Sequence, residues 1–328
     1  MTDANFISMQ AAADFLGPGA IEVPDFESEI MDIVRRNSVV MQRMPTMKAT
    51  GHPHRYFEQT AIAQGAFTDP RNIAPTPAVP TRVERSAYIK AITNQTNISL
   101  FDKEVTQQQN QFAYIVGRDL EDIINGIEVV RGAALWNGND TSLTTPTTNQ
   151  YVGLLTQITQ TSVIAPGASI IDGLKAQVAV MIANQTYKNR PSAIIVNPVL
   201  GDYLDREAKA AQITFGSAEV VAGVKVKTLS TQAGELPIIP DPYLPSAAGA
   251  AYGFSAPPAG NLNYFAAILS EQFIEIPYIS GDSDNPNPRL FQLGLTSNLS
   301  GQYVGIKFDC VVAKGASYAH SIVAVQRP

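Results

Sequence analysis

Apolar positions recur at three- and four-residue steps over one long stretch, from about Val105 to Trp136, at Phe112, Ile115, Val116, Leu120, Ile123, Ile127, Val130 and Ala134. That spacing predicts a helix of roughly 30 residues, a rod of about 45 Å. Gly117, Gly126 and Gly132 lie inside it. Each weakens a helix by about 1 kcal/mol relative to alanine, so a bend or an irregular start is expected. Asn137-Gly138-Asn139-Asp140 tolerates a left-handed backbone and should end the rod.

Ahead of the helix the pattern is different. Gly51, Pro53, Asp69-Pro70, Pro75, Pro77 and Pro80 punctuate short β-prone runs such as Arg55-Tyr56-Phe57 and Arg82 to Thr93. Proline cannot donate to a ladder, so residues 46–92 are expected to form a long, irregular β-hairpin with a proline-rich tip. Two strands alone are marginal in water, and this segment has too few apolar residues for a core of its own, so it should dock on something. Residues 1–45 predict an extended arm and a short helix, with Ile30, Ile33 and Val34 spaced helically after Pro24-Asp25.

Beyond Tyr151 the chain reads as mixed α/β. Ser169, with Asp172 three positions on, opens a helix whose stripe is Ile171, Leu174, Val178, Met181 and Ile182. Ala193 to Val196 is a buried-strand run, and Asn197-Pro198 caps and starts a helix with Val199, Leu200, Tyr203 and Leu204 facing inward. Val224 to Thr228 alternates as a half-buried strand, and four prolines make Pro237 to Pro245 a rigid connection. The end is β-rich: Phe273 to Ile279, Leu290 to Leu295, Val304 to Val312 with Lys307 and Asp309 on the polar side, and His320 to Val325. No internal repeat is found.

Composition narrows the classes. In 328 residues, 45% are apolar, enough for a sizeable core and against a disordered chain. Lys and Arg total 23 against 29 Asp and Glu, a net charge of −6, which argues against a basic nucleic-acid-binding face. Charged residues are only 16%, below the typical value of about 25%, which suits a surface largely covered by neighbours. The single cysteine, Cys310, excludes a disulfide framework within the chain, and its place in an apolar alternation predicts burial. No apolar run approaches the ~18 residues that span a bilayer and no signal segment is seen, so a cytoplasmic protein without membrane contact is expected.

Little in the sequence carries reaction chemistry. The phosphate-loop, dinucleotide, zinc-protease and serine-hydrolase patterns are all missing, so neither an enzyme nor a cofactor is expected. His52 and His54 alternate on one side of the hairpin's first strand and could share a metal, but two ligands from one strand are too few, and a solvated or intersubunit pair is preferred. His320 has no catalytic partner in view and reads as structural. Asp282-Ser283-Asp284-Asn285 begins like a calcium loop but lacks the glycine and the closing glutamate. Trp136 reads as a packing anchor.

The order of these parts resembles the major capsid proteins of tailed double-stranded-DNA phages, the Hong Kong 97-like fold. The local signs are Ala134-Leu135-Trp136-Asn137-Gly138-Asn139-Asp140-Thr141, the run Ile194-Ile195-Val196-Asn197-Pro198, and Val224-Lys225-Val226 leading to Leu236-Pro237-Ile238-Ile239 and Asp241. The resemblance implies an α+β fold: an N-terminal arm (1–45), an extended hairpin loop (46–92), a peripheral region (93–155 and 268–328) with the spine helix, and an axial α/β domain (156–267). It implies hexamers and pentamers closing an icosahedral shell around packaged phage DNA, assembled in the host bacterial cytoplasm. Separate scaffolding, portal and decoration proteins are the partners expected. Contacts between copies are expected at His52, His54, Arg55, Tyr56, Phe57, Phe67, Arg71, Arg82 and Arg85, and flexing of the spine at Gly117, Gly126 and Gly132. Lys48 and Lys90 sit at the hairpin base, so a lysine crosslink between subunits is not expected.

Three other readings compete. An encapsulin-like nanocompartment shares the fold but encloses enzymes. A β-rich adhesin or tail-associated protein suits the low charge, against the missing signal and the long helix. An enzyme on residues 156–267 would need a paired acid and base that the sequence does not display.

Overall fold

The computed structural model describes residues 39–63, 65, 67–71, 79–108, 112–184, 189–221, 224–281, 285–295 and 300–328. Most of the expected arm and its helix, the tip prolines Pro75 and Pro77, and Asp282-Ser283-Asp284 lie outside them.

Helix α1 (Val39–Arg43) buries Val40 and Met41, and Arg43 clasps Glu271 through Nε and Nη2 at 2.5 and 2.6 Å. Strand β1 (Thr46–Lys48) comes next, then β2 (His54–Ala61), β3 (Thr81–Ala87) and β4 (Lys90–Ser99). The expected rod consists of α2 (Leu100–Gln108) and α3 (Phe112–Asn137). Helix α3 runs through all three glycines. At two of them the bare backbone admits a neighbour: a Cβ would lie 2.6 Å from Asn94 Nδ2 at Gly126 and 2.8 Å from the Tyr243 ring at Gly132. At Gly117 the space is open.

The mixed region comprises α4 (Leu154–Gln157), β5 (Thr161–Ile164), α5 (Ile170–Ile182), β6 (Ala193–Val196), α6 (Pro198–Ala210), β7 (Gly216–Val221), β8 (Val224–Thr231), β9 (Gly234–Pro240), β10 (Ser246–Ala247) and β11 (Leu262–Leu269). Both predicted caps form: Ser169 Oγ accepts from Asp172 N–H at 3.1 Å, and Asn197 Oδ1 from Val199 N–H at 3.0 Å. The first turn of α5 is completed from α6, where Glu207 accepts the Ile170 and Ile171 amides at 2.8 and 3.2 Å, a carboxylate suited to a helix N-terminus. Val199, expected inward, is half exposed, because the capping turn directs the inner face through Leu200, Leu204 and Ala208. The chain ends with β12 (Ile274–Ile279), β13 (Arg289–Leu295), β14 (Ser300–Asp309), β15 (Val312–Ala313) and β16 (Ser321–Arg327).

The described strands form three sheets. One has eight strands in the order β5-β16-β11-β6-β9-β8-β7, with β10 beside β11. Its central strands are apolar on both faces, as burial on both sides demands. Ala193, Ile195, Phe265, Ala267, Ile322 and Ala324 pack toward Trp136, Leu154 and Val40, whereas Ile194, Val196, Ala266, Ile268 and Val323 meet the stripes of α5 and α6. Here the boundary expected at residue 268 gives way. Strand β16 lies between β5 and β11 rather than among the peripheral strands, since its uninterrupted apolar run needs two covered faces. The second sheet has six strands: β1-β12-β14-β13, with β4 on β14 and β15 on β12. The third is the pair β2–β3. No helix among the described residues is long and apolar enough to cross a membrane.

His320, fully buried, is structural: Nδ1 accepts from Ser270 N–H at 3.3 Å and Nε2–H donates to Lys314 O at 3.1 Å. Burial pushes its pKa down to about 4, against a smaller opposing effect of the Lys314 carbonyl. The unfolded chain therefore takes up this proton first, and stability should fall by about 3 kcal/mol as pH drops from 6.5 to 4. Urea unfolding across that window should show the slope, reduced in His320→Gln.

Candidate assembly surface

Strand β2 alternates with period two, so its residues divide between faces. His54, Tyr56 and Glu58 turn toward the body, and Arg55, Phe57 and Gln59 turn out. Tyr56, with Ala87 and Ile89, packs on Cys310 and Val312. Glu58 accepts Gly315 N–H at 2.8 Å and pairs with Arg85 at 2.5 Å. The root of the hairpin is thus seated on its own chain, while its outer length is not covered. Phe57 is 72% exposed and Val79 81%, Phe67 is fully exposed, and Ile62 is half exposed.

The nine expected contact residues separate accordingly. Phe57, Phe67, Arg55, Arg71 and Arg82 are exposed, with Arg55 bound to Glu84 at 3.1 Å across the strands. Strand alternation buries His54 and Tyr56 against the same chain. Burial also pushes the Tyr56 phenol up to about 12. Arg85 is half exposed and committed to Glu58. His52 is edge-on to Tyr88, centroids 5.1 Å apart, rather than paired with His54. Among the described residues no three metal-ligating side chains gather.

Two buried polar joints hold the frame that carries the hairpin, and neither was read from the sequence. At the first, α3 meets β14. Arg131 Nε binds Asp309 Oδ2 at 2.6 Å, and its Nη1 binds Glu128 Oε2 at 2.8 Å. Tyr151 Oη donates to Asp309, and Lys307 Nζ lies 3.9 Å from both acids. Lys307 and Asp309, on the polar side of the alternation, are 5% and 0% exposed. The polar side of β14 faces the spine helix, where Gly305 lets Ile123 and Ile127 approach the strand. Burial first and Arg131 second, against Glu128, lower Lys307 to about 8. At the second joint, Trp136 Nε1–H donates to buried Asp241 at 2.9 Å, tying the end of α3 to the loop after β9. Lys90, at the hairpin base, is bound inside its own chain to Asp140 at 2.9 Å. Burial alone would raise the Asp140 carboxyl, but Lys90 and the Thr141 and Thr147 donors hold it well below the usual range.

Solved structures share this fold over nearly the whole chain. A chain of Gordonia phage Cozz is 14% identical, with 97% of this chain and 94% of that one covered at a TM-score of 0.60. The holo-SrpI encapsulin complex from Synechococcus elongatus PCC 7942 gives 12% identity, 96% and 94% coverage and 0.59. The capsid of an empty GTA particle gives 13%, 90% and 99%, and 0.58. No curated protein matches the chain. These likenesses define the class, the Hong Kong 97-like shell fold that the order of elements suggested. The model of the SU10 major capsid protein family matches residues 4–259, and the chain belongs to that family. It is a structural protein of the virion capsid whose copies associate into homo-oligomeric capsomers.

Proposed function

We propose that the chain builds hexamers and pentamers that close into an icosahedral shell around packaged phage double-stranded DNA. Assembly takes place in the host bacterial cytoplasm, with scaffolding, portal and decoration supplied by separate proteins, and the chain catalyses no reaction. The observation that carries this reading is the exposure of the apolar residues Phe57, on β2, and Ile62, Phe67 and Val79, between β2 and β3, which a neighbouring copy would cover. The net charge of −6 supports a container that holds nucleic acid without neutralising its phosphates. Residues 46–92 serve as the intersubunit loop. An axial part spans 156–267 together with β16, and a peripheral part spans 93–155 and the remaining strands. Gly117, with open space around it, is the spine position free to flex between hexamer and pentamer.

Phe57→Ser tests the reading. Losing one buried aromatic per contact should raise the concentration for half-assembly by about tenfold to a hundredfold, with folding of the free subunit unchanged. Sedimentation and negative-stain microscopy would read it, and assembly at the wild-type concentration would count against the hairpin as the grip. The likeness to SrpI keeps the compartment reading in play, and the contents decide it: particles holding DNA support the virus, and particles holding an enzyme cargo oppose it.

A further inference from the structure

His54 Nε2, at the root of the hairpin, and Glu275 Oε2, on β12, are buried side-chain atoms with no hydrogen-bond partner among the described residues. Around them the charges are already matched. Glu275, on β12, is paired through Oε1 with Lys314 at 2.5 Å. Glu58, on β2, is paired with Arg85 of β3. The His54 ring stacks on Tyr56, centroids 6.1 Å apart and planes at 20°. Lys314 Nζ already lies over that same Tyr56 ring, 5.4 Å from its centroid. The other ionisable groups packed here, Tyr56 and Cys310, are kept neutral by burial, which pushes both pKa values up.

Two cations and two anions therefore balance only around a neutral imidazole. A proton on His54 adds a third cation in a buried position, against a ring that Lys314 occupies, with Glu58 committed and Glu275 already neutralised by Lys314, although its Oε2 makes no hydrogen bond. We propose that His54 is an acid-release catch: the hairpin root stays seated on β12 and the Lys314–Gly315 turn while the imidazole is neutral, and protonation unseats it. The direction of its titration agrees. Burial lowers the His54 pKa, Glu275 opposes this and Lys314 adds to it. A base held below its free value of 6.5 is protonated more readily once released, so seating is complete above that pH and weakens as pH falls below it. The inference concerns the root within one chain and rests on the intersubunit reading only for its consequence, that hairpins of a shell re-seat in acid and hold at neutral pH.

Hydrogen exchange of the full-length protein at about pH 7.5 and about pH 5, corrected for intrinsic rates, tests it. Backbone amides of residues 54–58 and 84–87 should lose protection several-fold in acid, and His54→Gln should remove that difference. Lys314→Met should reverse its sign, because Glu275 then has no other cation and its open Oε2 can accept from the imidazolium. Equal root protection at both pH values, or the same loss in His54→Gln, would overturn the catch. If His54→Gln misfolds, the sign in Lys314→Met decides. Failure of the intersubunit grip reads separately, as unchanged assembly of Phe57→Ser beside a root that still responds to acid.

Discussion

Arg131→Met is expected to cost about 3–5 kcal/mol of unfolding free energy at pH 7, because it strips a buried carboxylate of its main partner. Asp309 is fully buried at the end of β14, with Arg131 Nε at 2.6 Å. The remaining cation, Lys307, stands 3.9 Å away and is engaged by the Pro286 carbonyl. Replacing both partners with apolar residues, Arg131→Met with Asp309→Leu, should recover most of the loss, since the desolvation penalty then disappears with the charges.

The pH response separates this from a simple packing defect. Burial lifts the Asp309 carboxyl to about 6, even though Arg131 pulls it down. Between that value and the free value of 3.8 the native state binds a proton that the unfolded chain does not, so this group's contribution to stability rises as pH falls through 6. Without Arg131 the carboxyl protonates at higher pH, and the deficit of Arg131→Met should shrink between pH 7 and about 5.5. Urea unfolding of the dissociated subunit at both values would measure it. A deficit under about 0.5 kcal/mol, or one that does not change with pH, would mean the joint carries little of the fold.

What the sequence conveyed was local. The rod through Trp136, the caps at Ser169 and Asn197, and the buried run Ala193 to Val196 are each written in fewer than about 30 consecutive residues, where spacing and capping chemistry act. Partner choice is not written there. Nothing in Ser321 to Arg327 says that it lies between β5 and β11, and nothing in Thr46 to Lys48 says that it runs parallel to β12. The same limit holds for Lys307 and Asp309: alternation identifies a polar side but cannot tell water from a helix that brings its own Arg131. In the hairpin, alternation is legible, and adjacent strand residues such as Tyr56 and Phe57 must point to opposite faces. Only the seat on Cys310 and Val312 shows which face is inner, and it places Tyr56 there. The glycines of α3 read as points of flexure, yet Gly126 and Gly132 also sit where Asn94 and Tyr243 press closest.

Trp136→Ala should destabilise by about 3–5 kcal/mol, the range for deleting a fully buried aromatic side chain. Two losses are combined in that figure, and a second variant divides them. Trp136→Phe keeps much of the volume among Leu135, Leu154 and Phe265 but withdraws the N–H that Asp241 accepts at 2.9 Å, for about 1–3 kcal/mol. Asp241 is 2% exposed, accepts Tyr243 N–H at 3.0 Å through its other oxygen, and donates its own N–H to Val196 O at 2.9 Å. The tryptophan therefore joins the end of the spine helix to the loop at the C-terminal end of the β6–β9 pair. If that joint acts as one unit, Trp136→Phe and Asp241→Asn should be non-additive, with a coupling of about 0.5–3 kcal/mol in a double-mutant cycle read by circular dichroism. Additive effects would instead mean that the helix and the loop hold their positions independently, leaving Trp136 as volume alone.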